Sequence, residues 1–295
     1  MIHRKDINVR DPFIYYENGM YYLYVSRHFE GDKYPSFICY SSSDLEYFNE
    51  PKILFKGHDG FWATKQYWAP EMHKYKDKYY LFVSLKSDDK RRGTQLFVCD
   101  TPDGTFAPLT ETPITPKDWE CLDGTLYIEN DIPYMVFCHE WLQVDDGEIH
   151  AMRLSDDLKE AVGEPILLFK ASSLKWVKAL DDPFYNTNEN SLITDGPFLF
   201  KRNGKLHMIW STFGPKGYAT ALSTADSLLG KWEHNDIPLF EEDGGHGMIF
   251  EKDGRKKLTI HVPNDPSGAE RLEIFDLEDL IKERGMQIWF TKQLN

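Results

Sequence analysis

Three carboxylic acids and one histidine stand at related places along this 295-residue chain: Asp11, Asp123, Asp195 and His246. Each lies at the opening of a similar short segment, in which an apolar run, a tight turn and a second, aromatic-rich run follow one another. Carboxyl groups that converge on one cleft can act as general acid and general base, because a neighbouring negative charge raises the pKa of one of them. Such chemistry requires that the fold bring these residues to one place.

The similar segments form a five-fold repeat, whose copies open at Asp11, Ala69, Asp123, Gly196 and His246, at intervals of 58, 54, 73 and 50 residues. A single hairpin of this kind cannot bury its own apolar faces, so its copies must pack against one another. The pattern predicts an all-β fold, a five-bladed β-propeller with four antiparallel strands per blade, as a single domain over residues 1–295. Blades arranged about an axis would place the first residue of every innermost strand at one shared mouth.

Turn residues support the repeat. Asn18-Gly19, Asn203-Gly204 and Asp253-Gly254 each separate two apolar runs, and these dipeptides favour the positive φ angles of type I′ turns. Residues 277–281 predict a short helix near the end of the chain. The pattern leaves open whether residues 286–290 add a strand that joins the last blade to the first.

One segment, residues 171–194, departs from the repeat and shows little periodicity. Long connections in compact domains are usually functional or disordered. We expect this segment to form part of a rim around the mouth.

Composition narrows the classes of partner. The chain has 34 Lys and Arg against 48 Asp and Glu, a formal net charge of −14, which repels nucleic acids and anionic lipid surfaces. A neutral or cationic ligand is favoured, and the oligomeric state is not predicted. The four cysteines are widely spaced, no apolar run is long enough to span a membrane, and no signal peptide is visible, so a cytoplasmic location is expected, or a secreted one if a leader has been removed.

The openings of the five copies resemble the successive inner-strand motifs of glycoside hydrolase family 43. The resemblance runs from about residue 8 to about residue 280, and its specificity lies in the order and spacing of the motifs. It implies a five-bladed propeller that hydrolyses arabinosides, xylosides or related furanosides with inversion at the anomeric carbon. The matching strings are Arg10-Asp11-Pro12-Phe13, Trp68-Ala69-Pro70-Glu71, Leu122-Asp123-Gly124, Asp195-Gly196-Pro197-Phe198 and Gly245-His246-Gly247.

Two of the carboxylates match roles in that family. An inverting glycosidase needs one carboxylate to deprotonate water and one carboxylic acid to protonate the leaving oxygen, about 6.5–9.5 Å apart. By position, Asp11 matches the general base, and Asp123 matches the residue that raises the pKa of the acid and orients it.

The general acid is less clearly marked. The family usually has Glu where this chain has Asp195, and the missing methylene would place the carboxyl more than an ångström further back, a misplacement that can cost on the order of 100-fold in rate. Three alternatives follow: Asp195 is the acid after a compensating shift, Glu140 has taken the role, or the site is degenerate. Asp195 ranks first and Glu140 second, and a sugar-binding rim residue is an equally good interpretation of Glu140.

Further residues are expected to bind sugar or metal. Trp68 matches an aromatic wall against the terminal sugar, and Trp141 and His139 extend the predicted substrate site. The histidine that matches His246 lies near a cation, often calcium, in the family. Because calcium prefers six to eight oxygen ligands, such a cation at His246 would be mostly water-coordinated and optional.

The expected activity is that of an exo-acting α-L-arabinofuranosidase, with a β-xylosidase or galactofuranosidase as alternatives. The competing interpretation from a different class is a non-catalytic carbohydrate-binding propeller, which the missing Glu motivates. Arg10-Asp11-Pro12 and Glu120-Cys121 also occur in invertase-like fructosidases. The nucleophile motif of that family is absent here, so this match is treated as coincidence.

Overall fold

The computed structural model describes residues 1–180, 187 and 190–286. Within these ranges the chain forms a five-bladed β-propeller, which confirms the fold predicted from the repeat. The innermost strands of neighbouring blades contact one another around a closed ring. No helix in the described ranges is long and apolar enough to cross a membrane.

Blades 1 and 2 are four-stranded antiparallel sheets, and two further strands of two residues each, one of them at the N-terminus, pair in a separate small sheet. Their strands are β1 (Ile2–His3), β2 (Phe13–Glu17), β3 (Met20–Arg27), β4 (Ser36–Ser42), β5 (Tyr47–Phe48), β6 (Lys52–Lys56), β7 (Lys65–Tyr75), β8 (Lys78–Lys86), β9 (Gly93–Cys99) and β10 (Ala107–Pro108).

Blades 3 and 4 also have four strands, and blade 5 has three within the described residues. Their elements are β11 (Cys121–Glu129), β12 (Ile132–His139), α1 (Trp141–Val144), β13 (Glu148–Arg153), β14 (Ile166–Lys170), β15 (Asp195–Arg202), β16 (Lys205–Gly214), β17 (Gly217–Ala225), β18 (Glu233–His234), β19 (Gly245–Lys252), β20 (Arg255–Val262), β21 (Arg271–Asp276) and α2 (Leu277–Glu283).

The hairpin turns have the predicted chemistry. Both residues of Asn18-Gly19, Asn203-Gly204 and Asp253-Gly254 have φ between 50° and 81°, as type I′ turns require. Helix α2 confirms the helix predicted after the last repeat; the Asp276 side chain caps its first turn. The strand considered over residues 286–290 falls almost wholly outside the described residues.

Aromatic side chains pack between neighbouring blades. Phe37 of blade 1 lies 5.3 Å from the ring of Tyr67 in blade 2, and Phe55 lies 4.7 Å from Phe97. Three of the four cysteines are buried and all four are free, in accordance with their spacing in the sequence. The packing of aromatic rings between blades holds the blades as rigid supports for the residues at the axis.

Candidate active site

A cavity of about 500 Å³ opens at the end of the axis where the innermost strands begin. This volume is in the range of small-molecule sites. Its lining includes every residue predicted to take part in catalysis or metal binding: Asp11, Asp123, Glu140, Asp195 and His246.

The five residues that open the repeats share an unusual backbone conformation. Their φ angles are all left-handed: Asp11 53°, Ala69 44°, Asp123 54°, Gly196 47° and His246 46°. In blades 2 to 5 the pairing of the first and second strands shifts register at this point, as a β-bulge does. In blades 1, 3 and 5 the opening residue itself lines the cavity, and in blades 2 and 4 the residue directly before it does.

His246 lies at the centre of the carboxylates. Its Nδ1 atom is 3.3 Å from Asp11 Oδ1, 3.8 Å from Asp123 Oδ2 and 3.7 Å from Asp195 Oδ1. Burial alone would lower the pKa of this imidazole, but the three carboxyl groups outweigh burial and raise the pKa well above its usual value. A positively charged His246 therefore offsets part of the negative charge gathered at the mouth.

Asp123 and Asp195 form a coupled pair. Asp123 is 3% exposed and accepts hydrogen bonds from the Gly196 backbone N–H (3.1 Å) and the Ser84 hydroxyl (3.1 Å). Burial raises the pKa of Asp123 well above its usual range. Burial also acts on Asp195, but hydrogen bonds from Asp123, His246 and Tyr218 outweigh it and lower the pKa of Asp195. The opposite directions of the two pKa shifts favour a proton on Asp123 rather than on Asp195 in the free protein.

Tyr218 and His261 complete the site and were not predicted from the sequence. The Tyr218 hydroxyl donates a hydrogen bond to Asp195 Oδ2, and its ring stacks on His261 at 5.6 Å. His261 Nδ1 accepts a hydrogen bond from the backbone N–H of Asp11 at 3.2 Å, and Nε2 lies 3.3 Å from Asn264 Oδ1. Burial lowers the pKa of His261 to about 4, so the ring stays neutral and fixes the backbone of Asp11.

Glu140 occupies the opposite wall with a buried cation. One carboxylate oxygen pairs with the Arg92 guanidinium, and the other, Oε2, is buried without a hydrogen-bond partner. Arg92 is 2% exposed, lies 4.2 Å from the ring centre of Trp68, and donates a second hydrogen bond to Gln66 at 2.8 Å. Burial raises the pKa of Glu140, and Arg92 partly offsets this effect.

The predicted sugar-binding residues separate into two groups. Trp68 and Trp141 line the cavity. His139 does not line the cavity. Consecutive residues at the end of a strand face opposite sides, and here it is the side chain of Glu140 that faces the cavity. The His139 ring instead stacks on Trp119 at 4.1 Å.

The rim includes the segment that departs from the repeat. Leu180, Ile193 and Thr194 line the cavity, in agreement with the rim predicted for residues 171–194; residues 181–186 and 188–189 lie outside the described ranges. On the other side, Arg10 lines the cavity and its guanidinium is held by Glu270 Oε1 (2.9 Å) and Asn264 Oδ1 (2.7 Å).

The side chains around His246 would supply only part of the ligand set that calcium prefers. Calcium prefers six to eight oxygen ligands, whereas the carboxylate oxygens here converge on Nδ1 of an imidazole that carries a proton toward them. The three carboxylates are also those that hydrolysis would use. Calcium at His246 stays a prediction from the family resemblance.

Gly196 provides a test of the close packing at the axis. A Cβ atom at this position would lie 2.7 Å from His246 Cδ2, and its φ is 47°. We expect Gly196→Ala to lower stability by about 2–5 kcal/mol, from left-handed strain and overpacking together, and to displace His246. In thermal denaturation the control Gly204→Ala, whose φ is also positive but whose surroundings are open, should lose only about 1–2 kcal/mol. Equal losses in the two variants would contradict the collision with His246.

Comparison with known proteins places these features in context. The family model described as glycosyl hydrolases family 43 matches residues 6–273. A xylosidase/arabinosidase 43A of Humicola insolens is 28% identical, over 84% of this chain and 88% of that protein. The structure of an endo-arabinase from Bacteroides thetaiotaomicron is 36% identical with a TM-score of 0.84, covering 93% of this chain and 96% of that one. An endo-1,4-β-xylanase structure from the same organism is 25% identical, with a TM-score of 0.70 over 92% and 90% of the two chains.

Proposed function

The chain belongs to glycosyl hydrolase family 43 and is a glycoside hydrolase, and we propose that it releases terminal α-L-arabinofuranosyl residues from oligosaccharides with inversion at the anomeric carbon. The observation that carries this proposal is the convergence of Asp11, Asp123 and Asp195 on His246 inside one cavity.

The proposed reaction is a single displacement. Asp11 removes a proton from a water molecule, whose oxygen attacks the anomeric carbon as the bond to the leaving oxygen breaks. Asp195 receives the proton of Asp123 through their hydrogen bond and passes it to the leaving oxygen. At the end of the turnover Asp11 carries the proton from water and the Asp123/Asp195 pair has lost its proton, so exchange with solvent resets both.

The separation of the two carboxyl groups is limited by their shared contact with His246. Asp11 Oδ1 and Asp195 Oδ1 contact the same His246 nitrogen at 3.3 Å and 3.7 Å, so they lie no more than about 7 Å apart. Only the top of this interval reaches the 6.5–9.5 Å range of inverting glycosidases, so the proposal of inversion rests on membership of the family and not on this separation.

Asp195 is a better candidate for the acid than Glu140. Protonation of Glu140 would leave the buried Arg92 without a compensating charge, and a broken buried pair typically costs about 3–5 kcal/mol. Asp195, by contrast, is hydrogen-bonded to Asp123, whose pKa is raised by burial, and the Asp195 side chain is 25% exposed. Asp123 acts as the proton reservoir. We assign Glu140 to holding the Trp68 wall through Arg92.

Two observations support an exo-acting arabinosidase. Leu180, Ile193 and Thr194, from the long connection between blades 3 and 4, line the cavity. The Humicola relative is named a xylosidase/arabinosidase, and the 36% identical structure is named an endo-arabinase. The 25% identical structure is named an endo-1,4-β-xylanase, so arabinose and xylose each occur in two of the three names. A β-xylosidase is the alternative substrate class. Since the 36% identical protein is named an endo-arabinase, the size of the products is part of the test.

Substrate and stereochemistry can be measured together. We expect hydrolysis of 4-nitrophenyl α-L-arabinofuranoside and of linear arabino-oligosaccharides, with arabinose as the first product and proton NMR showing the inverted anomer before mutarotation. Faster hydrolysis of the β-xyloside would move the assignment to xylosidase, and oligosaccharides as first products would show endo action. Binding of oligosaccharide without turnover on a broad glycoside panel would instead support a non-catalytic carbohydrate-binding propeller.

Tyr218 is expected to set the upper pH limit of activity. The rate depends on a deprotonated base and a protonated acid, so kcat/KM against pH should be bell-shaped. Tyr218→Phe removes a hydrogen bond that stabilises the ionised Asp195, so the pKa of the acid rises and the basic limb moves to higher pH. A bond to a charged group of roughly 1.5 kcal/mol corresponds to a shift of about one pH unit. An unchanged basic limb, or movement of the acidic limb alone, would contradict the role of Asp195.

A further inference from the structure

A second group of titratable side chains, two buried and one partly buried, lies on blade 3, away from the cavity lining: His139, Glu148 and His150. One potential ligand atom from each lies within 4.8 Å of the other two. His139 of β12 pairs directly with Glu148 of β13, and His150 follows two residues later on the same strand, so all three face one side of the sheet. The Trp119 ring covers the His139 ring at 4.1 Å.

Hydrogen bonds of Gln143 determine which nitrogen of His139 carries hydrogen. Gln143 Oε1 accepts from the backbone N–H of Glu120 at 2.7 Å, and its Nε2 donates to the backbone oxygen of Asp118 at 3.0 Å. These two bonds fix the orientation of the amide. His139 Nε2 lies 3.0 Å from the same Oε1 and must therefore donate to it. In the neutral ring this leaves a bare lone pair on Nδ1.

That lone pair faces a carboxylate. His139 Nδ1 lies 3.3 Å from Glu148 Oε2, and His150 Nε2 lies 2.9 Å from the same oxygen. The other carboxylate oxygen, Oε1, is occupied by the Lys170 ammonium at 2.8 Å. Two imidazole nitrogens and one carboxylate oxygen thus converge on a point that requires a positive charge.

We propose that His139 Nδ1, His150 Nε2 and Glu148 Oε2 bind one divalent transition-metal ion of the zinc type. Zinc binds imidazole nitrogen and carboxylate oxygen at about 2.0–2.2 Å in tetrahedral sites, so neighbouring ligand atoms lie about 3.3 Å apart. The observed contacts of 3.3 Å and 2.9 Å are close to that spacing. Lys170 on the second oxygen of Glu148 and Gln143 on His139 would orient two of the three ligands, as outer-shell groups do in known sites. A water molecule completes the tetrahedron.

The supporting shell is incomplete at His150. Its Nδ1 atom is buried and has no hydrogen-bond partner within the described residues. Because such partners typically contribute 10- to 100-fold to metal affinity, we expect weaker binding than at structural zinc sites. The ion would cross-link β12 to β13 at the end of β12, directly before Glu140.

Zinc binding to the full-length chain tests the proposal. After removal of bound metal, we expect one Zn²⁺ per chain by equilibrium dialysis and metal analysis, and Co²⁺ should give the visible absorption of a tetrahedral site. His150→Gln and Glu148→Gln should each abolish stoichiometric binding. His73→Gln is a matched control, because His73 Nε2 contacts Glu71 at 3.0 Å in a similar pair that has no second histidine. Calcium should not compete, since two of the ligands are nitrogen.

The same measurements can overturn the assignment. Asp123, Asp195 and His246 are the other cluster in the described residues with suitable spacing, so loss of zinc in His246→Gln with retention in His150→Gln would place the ion there. No binding by wild type would mean that a proton alone bridges His139 and Glu148. Should a variant not fold, nitrogen-15 NMR of wild-type histidine rings decides: Zn²⁺ must shift the signals of His139 and His150 and leave those of His246 in place.

Discussion

Asp11→Asn is expected to lower kcat about 10²- to 10⁴-fold on every glycoside that wild type hydrolyses, with little change in KM. Asparagine keeps the size of the side chain but cannot accept a proton from water, and general base catalysis typically contributes a factor of this size. The loss should be the same for activated nitrophenyl glycosides and for oligosaccharides, because the attacking water needs a base whatever the leaving group. Initial rates on both substrates measure the effect.

Asp265→Asn is the matched control for this experiment. Asp265 also lines the cavity, but it is absent from the carboxylate cluster around His246. We expect its turnover to stay within a few-fold of wild type. A loss in Asp265→Asn comparable to that in Asp11→Asn, with both proteins folded by circular dichroism, would show that the base has been misassigned.

The residues that open the five repeats could be identified from the sequence because local sequence determines the hairpin turns. Asn-Gly and Asp-Gly dipeptides fix the turns, and a turn fixes the register of its hairpin. Alignment of the five hairpins then aligns the residues that precede them. The shared left-handed φ of Asp11, Ala69, Asp123, Gly196 and His246 shows that the alignment was correct to the residue.

The partners of those residues could not be predicted in the same way. Tyr218 comes from the third strand of blade 4 and His261 from the second strand of blade 5, and both reach the site through pairing and packing between blades. Arg92 directly precedes the third strand of blade 2. In the sequence it is one of several cations in a charged loop, but in the structure it is buried against Trp68. Their roles depend on contacts between residues far apart in the chain, for which a single sequence carries no periodic signal.

His139 shows a different limit. The sequence places it beside Glu140 and Trp141, and proximity in the chain suggested a common role in binding substrate. The structure separates them because β12 ends at His139 with its side chain toward Trp119 and Glu148, while the next residue faces the cavity. The alternation of side chains at the end of a strand decides which of two neighbours reaches a site.

The identity of the proton donor is expected to appear in the dependence of rate on the leaving group. An acid is needed when the leaving oxygen is a poor leaving group, such as a sugar hydroxyl, and much less when it is a dinitrophenolate. We expect Asp195→Asn to lose about 10²- to 10⁴-fold on arabino-oligosaccharides but only a few-fold on a 2,4-dinitrophenyl arabinofuranoside. Its basic limb in the pH profile should disappear, since that limb reports the protonated Asp123/Asp195 pair.

Glu140→Gln separates this assignment from its rival. The substitution keeps the shape of the side chain and removes the charge opposite Arg92, so binding and the Trp68 wall should suffer on both kinds of substrate to a similar degree. If Glu140 were the acid, its variant would instead show the large difference between leaving groups, and Asp195→Asn would not. The ratio of rates on the two substrates is independent of how much protein folds correctly, because both rates are measured on the same sample. It therefore distinguishes a proton donor from a residue that only supports the site.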